Sequence, residues 1–435
     1  MLDRFFEITS RGSTPVTELR AGFTTFLAMS YIIVVNSDLM AKAGMDRDAA
    51  VFATCVSACV ATAAMGLIAN LPMALAPGMG INIFFTYTIV QQLHWTWPAA
   101  LGAVFISGAG FLVLSATGAT EWLSENLSAS LKRGIVVGIG LFIGCIGLQQ
   151  MGLVVPGDGT TSLLRLGDIS SPKVLLSALT LAVMVVMLAR GYKSHVIVGI
   201  VIGWLIGIPF GLSSWPDFPF SPPPSPLPTL GKLDIVAAWH SKDAIFVVLT
   251  LFLVTSLDNT STLQAVGKAA GLEVNGHIPH ERRALILDGS APLLSSWLGT
   301  SSTMSFVESL VGITVGGRTG LAAIATSVFF AVALLLTPVV TSIPTYATAP
   351  ALILAAIPTF NVMRGETWQD PAEYVPAIVI ALIMPFTFSI VSGIGAGCLV
   401  YTIMKMGQGR FAALKGDPAM FISVIWLIDV LSGGH

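Results

Sequence analysis

Almost the whole chain divides into apolar stretches of membrane-spanning length, separated by short polar segments. A helix needs about 20 largely apolar residues to cross the hydrocarbon core. Fourteen stretches approach that length: 19–36, 49–70, 73–90, 98–117, 134–153, 173–190 and 195–212, then 244–265, 284–298, 301–315, 320–338, 345–360, 374–391 and 392–406. Lipid offers backbone N–H and C=O groups no partner, so spans of this kind must be helices. Of 435 residues, 54% are hydrophobic and only 10% charged, whereas soluble domains carry about 25% charged residues. The fold class is therefore an all-α polytopic membrane protein. The first apolar run follows a polar stretch with Arg4, Glu7, Arg11, Glu18 and Arg20 and lacks a clean cleavage site, so it reads as a retained span. The last run, Met420–Leu431, is too short to span and reads as an interfacial helix.

Positive charge orients the spans. With the N-terminus inside, cytoplasmic segments hold 15 of the 21 Lys and Arg residues, Arg20, Arg133, Lys193, Arg364 and Lys415 among them. The outer side holds six, including Lys42, Arg47 and Lys242. That bias has the sign of the positive-inside rule, and it places both termini in the cytoplasm and the chain in a cell inner membrane. A net charge of −2 gives no basis for nucleic-acid binding.

The chain divides at its middle. Residues 1–212 form a first repeat of seven spans, 213–243 a Pro-rich extracytoplasmic linker, and 244–435 a second repeat with the C-terminal interfacial helix. Sliding the sequence by 226 residues sets Thr24, Phe26, Leu27, Ser30, Lys42 and Ala43 on Thr250, Phe252, Leu253, Ser256, Lys268 and Ala269. Seven spans is an odd number, so the second copy enters the membrane upside down, the usual build of secondary transporters.

Two acidic residues, Asp258 and Glu308, lie inside spans. A carboxyl group in hydrocarbon costs roughly 2.5–3.5 kcal/mol on insertion scales, and by default such a residue marks a functional site. The 226-residue offset carries Asn82 onto Glu308. The stretches before them are poor helix formers: Pro77, Gly78 and Gly80 in one, and the run Gly299–Thr300–Ser301–Ser302–Thr303–Met304–Ser305 in the other. Each is expected to hold a short extended piece followed by a half-helix starting near Gly80 or Ser305. The helix N-termini would then present free N–H groups to a ligand.

Other titratable groups read as structural. Asp288 stands beside Arg282 and Arg283 and is expected in an interfacial salt bridge. None of the six histidines falls mid-span, His277 being a loop residue and His435 the last residue. Cys55 and Cys59 read as buried small hydrophobes. Neither a nucleotide-binding loop nor a zinc-type spacing nor a nucleophile elbow is present, so the chain is expected to be a transporter, not an enzyme, with no cofactor.

Four motifs resemble the AzgA-like purine permeases, a branch of the nucleobase–cation symporters. They are Phe23–Thr24–Thr25–Phe26–Leu27–Ala28–Met29–Ser30–Tyr31 in span 1, Ala76–Pro77–Gly78–Met79–Gly80–Ile81–Asn82 in span 3, Leu257–Asp258–Asn259–Thr260–Ser261–Thr262–Leu263 in span 8, and Phe306–Val307–Glu308–Ser309 leading to Gly316–Gly317–Arg318–Thr319–Gly320. The resemblance implies fourteen spans as seven plus seven inverted, core and gate domains, and short strands in broken spans 3 and 10. It implies import of hypoxanthine, guanine or adenine by proton symport, and related permeases are dimers. The family's site maps onto Asn82, Asp258 and Glu308, with backbone near Gly80 and in span 10. From the residues themselves, Phe306 is a candidate to stack on a flat ring and Thr303 a candidate hydroxyl near the site. Asp258 and Glu308 are the candidates for proton coupling. The family's second span-8 aspartate is Thr255 here, a departure that leaves a pyrimidine or another purine-like heterocycle as the alternative cargo.

Overall fold

The fold was analysed in a computed structural model, which describes residues 2–117, 128–157, 164–192, 194–241, 243–273, 278–363, 370–387, 389–410, 414 and 417–431. Lys193, Lys242, His277, Arg364, Lys415 and His435, named above, lie outside them.

The elements, in chain order, begin with α1 (Leu2–Phe6), α2 (Pro15–Met29), α3 (Tyr31–Lys42) and α4 (Arg47–Ala64), which runs on as a π-helical turn. Next come β1 (Leu75–Pro77), α5 (Met79–Ile83) with a π-helical continuation to Gln92, α6 (Trp97–Thr117), α7 (Ala129–Gln150), β2 (Val154–Pro156) and β3 (Leu164–Leu166). They are followed by α8 (Pro172–Ala189), α9 (His195–Gly207), α10 (Ile235–His240), α11 (Ala244–Ala269) and α12 (Glu281–Leu298). The remainder are β4 (Thr303–Ser305), α13 (Ser309–Ile313), α14 (Gly320–Ala333), α15 (Thr337–Ser342), α16 (Thr345–Ala356), α17 (Pro371–Thr387), α18 (Ile390–Gly407) and α19 (Pro418–Leu431).

Among the described residues, eight helical segments are long and apolar enough to cross a membrane, and three further apolar helices are shorter. Their starts carry the expected chemistry. Thr14 caps α2 by accepting from Thr17 N with Pro15 in the first turn, and Asp46 caps α4 by accepting from Ala49 N. The segment expected to be a plain connector holds α10, capped by Asp234 through Ala237 N.

Packing sorts the long helices into two groups. In the first, α2 and α4 lie against α14, α12 against α4 and α6, and α11 against α6. In the second, α7 lies against α16 and α17, α8 against α9 and α16, and α17 against α18. Each group is drawn together by glycines. A Cβ on Gly320 would stand 2.0 Å from the Gly66 carbonyl oxygen, and one on Gly22 would stand 2.4 Å from that of Ala322. Contacts this close between backbones are open only to glycine.

Between β1 and α5, and between β4 and α13, the chain changes from extended to helical at buried depth. The strands pair antiparallel, with Leu75 opposite Ser305, Ala76 opposite Met304 and Pro77 opposite Thr303. The first half-helix starts where the glycines predict. The second does not: α13 begins at Ser309 rather than near Ser305. Ser305 N is taken by the Asn259 side chain and Phe306 N by the Ala74 carbonyl. The backbone therefore continues its strand bonding and turns helical only after Glu308.

Candidate functional site

The β1–β4 pair is buried on every residue, and the polar side chains of four elements converge around it. Glu308 occupies the N-cap position of α13, yet its side chain makes no capping bond. Instead its Oε1 accepts from the Tyr31 hydroxyl at 2.8 Å. Tyr31 comes from the start of α3, 277 residues away in sequence. The neighbouring backbone is fixed independently, because Ser309 Oγ accepts from Ala74 N at 3.0 Å.

Asp258 lies midway along α11 and is exposed, whereas Asn259 beside it is buried. The carboxyl groups of Asp258 and Glu308 stand within electrostatic reach of one another. From Asp258 an exposed stripe continues through Ser261 and Ala265 to Lys268 at the end of the helix. Residues spaced by three and four share one helix face. Three of these four are polar, unlike the apolar surface that lipid selects.

Asn259 turns to the opposite side, where its Oδ1 accepts from Ser305 N at 3.0 Å. Ser305 Oγ in turn donates to Asp288 Oδ1 at 2.6 Å. The expected salt bridge of Asp288 is therefore not formed. Arg282 and Arg283 are exposed, Arg282 donating to the Ala116 carbonyl, while Asp288 is completely buried. At 3.6 residues per turn, Asp288 points about 120–140° away from both arginines. Sequence neighbours were mistaken for spatial ones.

Asn82 is fully buried: its Oδ1 accepts from Ser301 Oγ and its Nδ2 donates to the Pro77 carbonyl at 3.4 Å. It thus ties the two broken spans together. Gly80 is partly exposed, and a Cβ there would lie 2.9 Å from Ile139 Cγ2 of α7, so the second helix group touches the first at this backbone. Thr303 and Phe306 are buried, with Thr303 N donating to Ser295 Oγ at 3.2 Å.

Several buried polar atoms around the strands have no protein partner: Thr255 Oγ1, Asn259 Nδ2, Asp288 Oδ2, Ser302 Oγ and Thr303 Oγ1. Unpaired buried polar atoms are costly and call for an explanation such as an ordered water or a ligand. Sequence reasoning missed Tyr31 and Ser301 and misassigned Asp288. Positions 31 and 288 carry the same signal as Asp258, a hydroxyl or carboxyl group inside an apolar run. Among the described residues there is no group of three side chains suited to a metal.

A polytopic helical chain with broken spans meeting at a buried strand pair, and acidic groups beside that pair, belongs to the class of membrane transporters. In fold it is similar to the transmembrane domain of the cyanobacterium bicarbonate transporter BicA, with a TM-score of 0.64 at 16% identity, covering 88% of this chain and 96% of that one. It is also similar in fold to the murine anion transporter Slc26a9, with a TM-score of 0.65 at 12% identity, covering 90% of this chain and 68% of that one. Residues 17–396 match the model of the permease family, and the chain belongs to that family; it is a transporter and not an enzyme. Among its relatives, the adenine permease AdeP of Escherichia coli is 38% identical over 99% of this chain and 96% of its own length. The guanine/hypoxanthine permease PbuO of Bacillus subtilis is 35% identical over 97% of this chain and 99% of its own length.

Proposed function

We propose that this permease carries purine nucleobases (hypoxanthine, guanine or adenine) into the cell by symport with protons. The observation that carries the reading is that Asp258 and Glu308 both adjoin the β1–β4 pair: Asn259, next to Asp258, accepts from Ser305 N of β4 at 3.0 Å, and Glu308 follows β4 by three residues. It is joined by the names of relatives that match nearly full length. A purine edge presents adjacent N–H donors, and an ionised carboxylate accepts two of them in one plane. Glu308 supplies that acceptor, and the unpartnered hydroxyls of Ser302 and Thr303 line the strand beside it. Asp258, at the exposed end of the same cluster, exchanges the proton. Asn82 holds the two broken spans at the correct separation and reaches a bound base only by giving up its bonds to Ser301 and Pro77.

The protein is proposed to span an inner membrane fourteen times as two inverted sets of seven, with both termini cytoplasmic. In that orientation the polar stripe from Asp258 to Lys268 opens the site toward the cytoplasm. Transport follows when the first helix group, carrying the site, shifts against the second. The test is uptake of labelled hypoxanthine, guanine and adenine by cells or vesicles, with a protonophore and with Glu308→Gln. The expected result is uptake of at least one base that collapses under both treatments. Uptake insensitive to both would refute the mechanism, and an uptake panel answered by pyrimidines alone would reassign the cargo.

A further inference from the structure

We infer that Tyr31 is a positioning residue for the Glu308 carboxylate and thereby sets the affinity of the permease for its base. The inference rests on the proposed role of Glu308 as the acceptor of substrate N–H groups.

Tyr31 is only 3% exposed, and its hydroxyl donates to Glu308 Oε1 at 2.8 Å. A Glu side chain has three rotatable bonds, and ordering such a chain costs up to about 2 kcal/mol of rotamer freedom. Glu308 occupies an N-cap position without capping the helix, so no bond to the free N–H groups of α13 fixes where the carboxylate points. Tyr31 does, from a helix that is itself anchored. Asn36, five residues further along α3, donates through Nδ2 to Thr54 Oγ1 at 2.7 Å and to Thr300 Oγ1 at 2.8 Å. The second of those bonds lands three residues before β4, so α3 grips the broken span at two points, Thr300 and Glu308. The acceptor for the base is therefore aimed before the base arrives. Preorganisation of this kind raises affinity by removing an ordering cost from the binding step. It also leaves Glu308 Oε2 as the oxygen free of the tyrosine, so the base meets a carboxylate with one defined open side.

The experiment measures binding of labelled hypoxanthine, guanine and adenine to the purified full-length chain in detergent. Wild type, Tyr31→Phe, Glu308→Gln and the double variant are compared, together with the melting temperature of each without ligand. Tyr31→Phe removes one hydroxyl and keeps the ring that packs around it. It is expected to weaken binding about tenfold, to raise KM with little change in maximal rate, and to leave the ligand-free melting temperature in place. Once Glu308 is Gln, the tyrosine change should add nothing. If Glu308→Gln binds too weakly to measure, Glu308→Asp takes its place in the cycle, because its carboxylate is one methylene short of the tyrosine. Binding unchanged in Tyr31→Phe would overturn the inference. So would a loss that persists in full without the Glu308 carboxylate, or one that tracks a fall in melting temperature. Wild-type affinity in Glu308→Gln would instead remove the acceptor role of Glu308 itself, which is a separate failure.

Discussion

Pro77 of the first strand faces Thr303 of the second, 226 residues further along the chain. Asn82 and Glu308 follow at equal distances of five residues on either side. An amide and a carboxylate therefore lie at equal distances along the chain from this facing pair. Proline lacks an N–H, so Pro77, at the end of β1, adds no donor to the strand pair.

Replacing Asp258 by Asn keeps the shape and removes the ionisable group. Because Asp258 is exposed and makes no hydrogen bond to a second element among the described residues, Asp258→Asn is expected to leave the melting temperature within a few degrees of wild type. Uptake against a gradient should fall by tenfold or more, about 1.4 kcal/mol per decade. Flux assays in proteoliposomes with an imposed pH gradient make the comparison. Full concentrative uptake in Asp258→Asn would remove this residue from proton coupling.

Asn82 is expected to behave in the opposite way. Its side chain is buried and bonded to Ser301 and to the Pro77 carbonyl, so Asn82→Ala leaves partners stranded at a cost of about 1–3 kcal/mol. The expected signature is a lowered melting temperature in detergent, with Ser301→Ala giving a smaller drop because it strands fewer groups. Equal and negligible drops in both would mean that this link does not support the strands.

Arg47 joins elements that are distant in sequence. Its guanidinium contacts the Asp38 carboxylate and the carbonyls of Thr341 and Ile343, and Asp38 Oδ2 accepts from Thr348 of α16 at 3.3 Å. Removing one member of a largely buried ion pair costs about 3 kcal/mol, most of it from the charge left behind. Arg47→Ala should therefore lower both melting temperature and uptake rate, and Asp38→Asn introduced alongside should restore part of each. No recovery in the double variant would show that the pair is not coupled.

Much of the scaffold was legible in the sequence because it follows from periodic physics. Runs of apolar residues fix where helices lie, and the Pro77, Gly78 and Gly80 cluster fixes where one of them breaks. Asp258 and Glu308 were legible as well, since a carboxyl inside an apolar run needs a local reason to exist. What was not legible was pairing across the fold. Tyr31 meets Glu308 across a sequence separation of 277 residues, and nothing in either neighbourhood marks the other. Asp288 failed for the converse reason, since its sequence neighbours Arg282 and Arg283 point elsewhere once the helix is wound. The start of α13 slipped by four residues because side-chain and strand bonds claim the amides of Ser305 and Phe306.

The glycine contacts of the first helix group give a prediction with an internal control. Gly320→Ala would press a methyl to 2.0 Å from the Gly66 carbonyl oxygen, whereas a Cβ on Gly110 meets nothing closer than 3.6 Å. Overpacking of this kind costs about 1–3 kcal/mol or more. Gly320→Ala should reduce the yield of monodisperse protein on size exclusion, while Gly110→Ala should be indistinguishable from wild type.

The same glycines bear on how such a chain can diversify. Where two backbones touch, no side chain exists to be varied, so the joint between Gly66 and Gly320 is closed to gradual change. The meeting of Gly80 with Ile139 is built differently, with a side chain on one side that can be lengthened, shortened or branched. A change of side chain at Ile139 can therefore adjust how the helix groups meet at Gly80, an adjustment the Gly66–Gly320 joint does not admit.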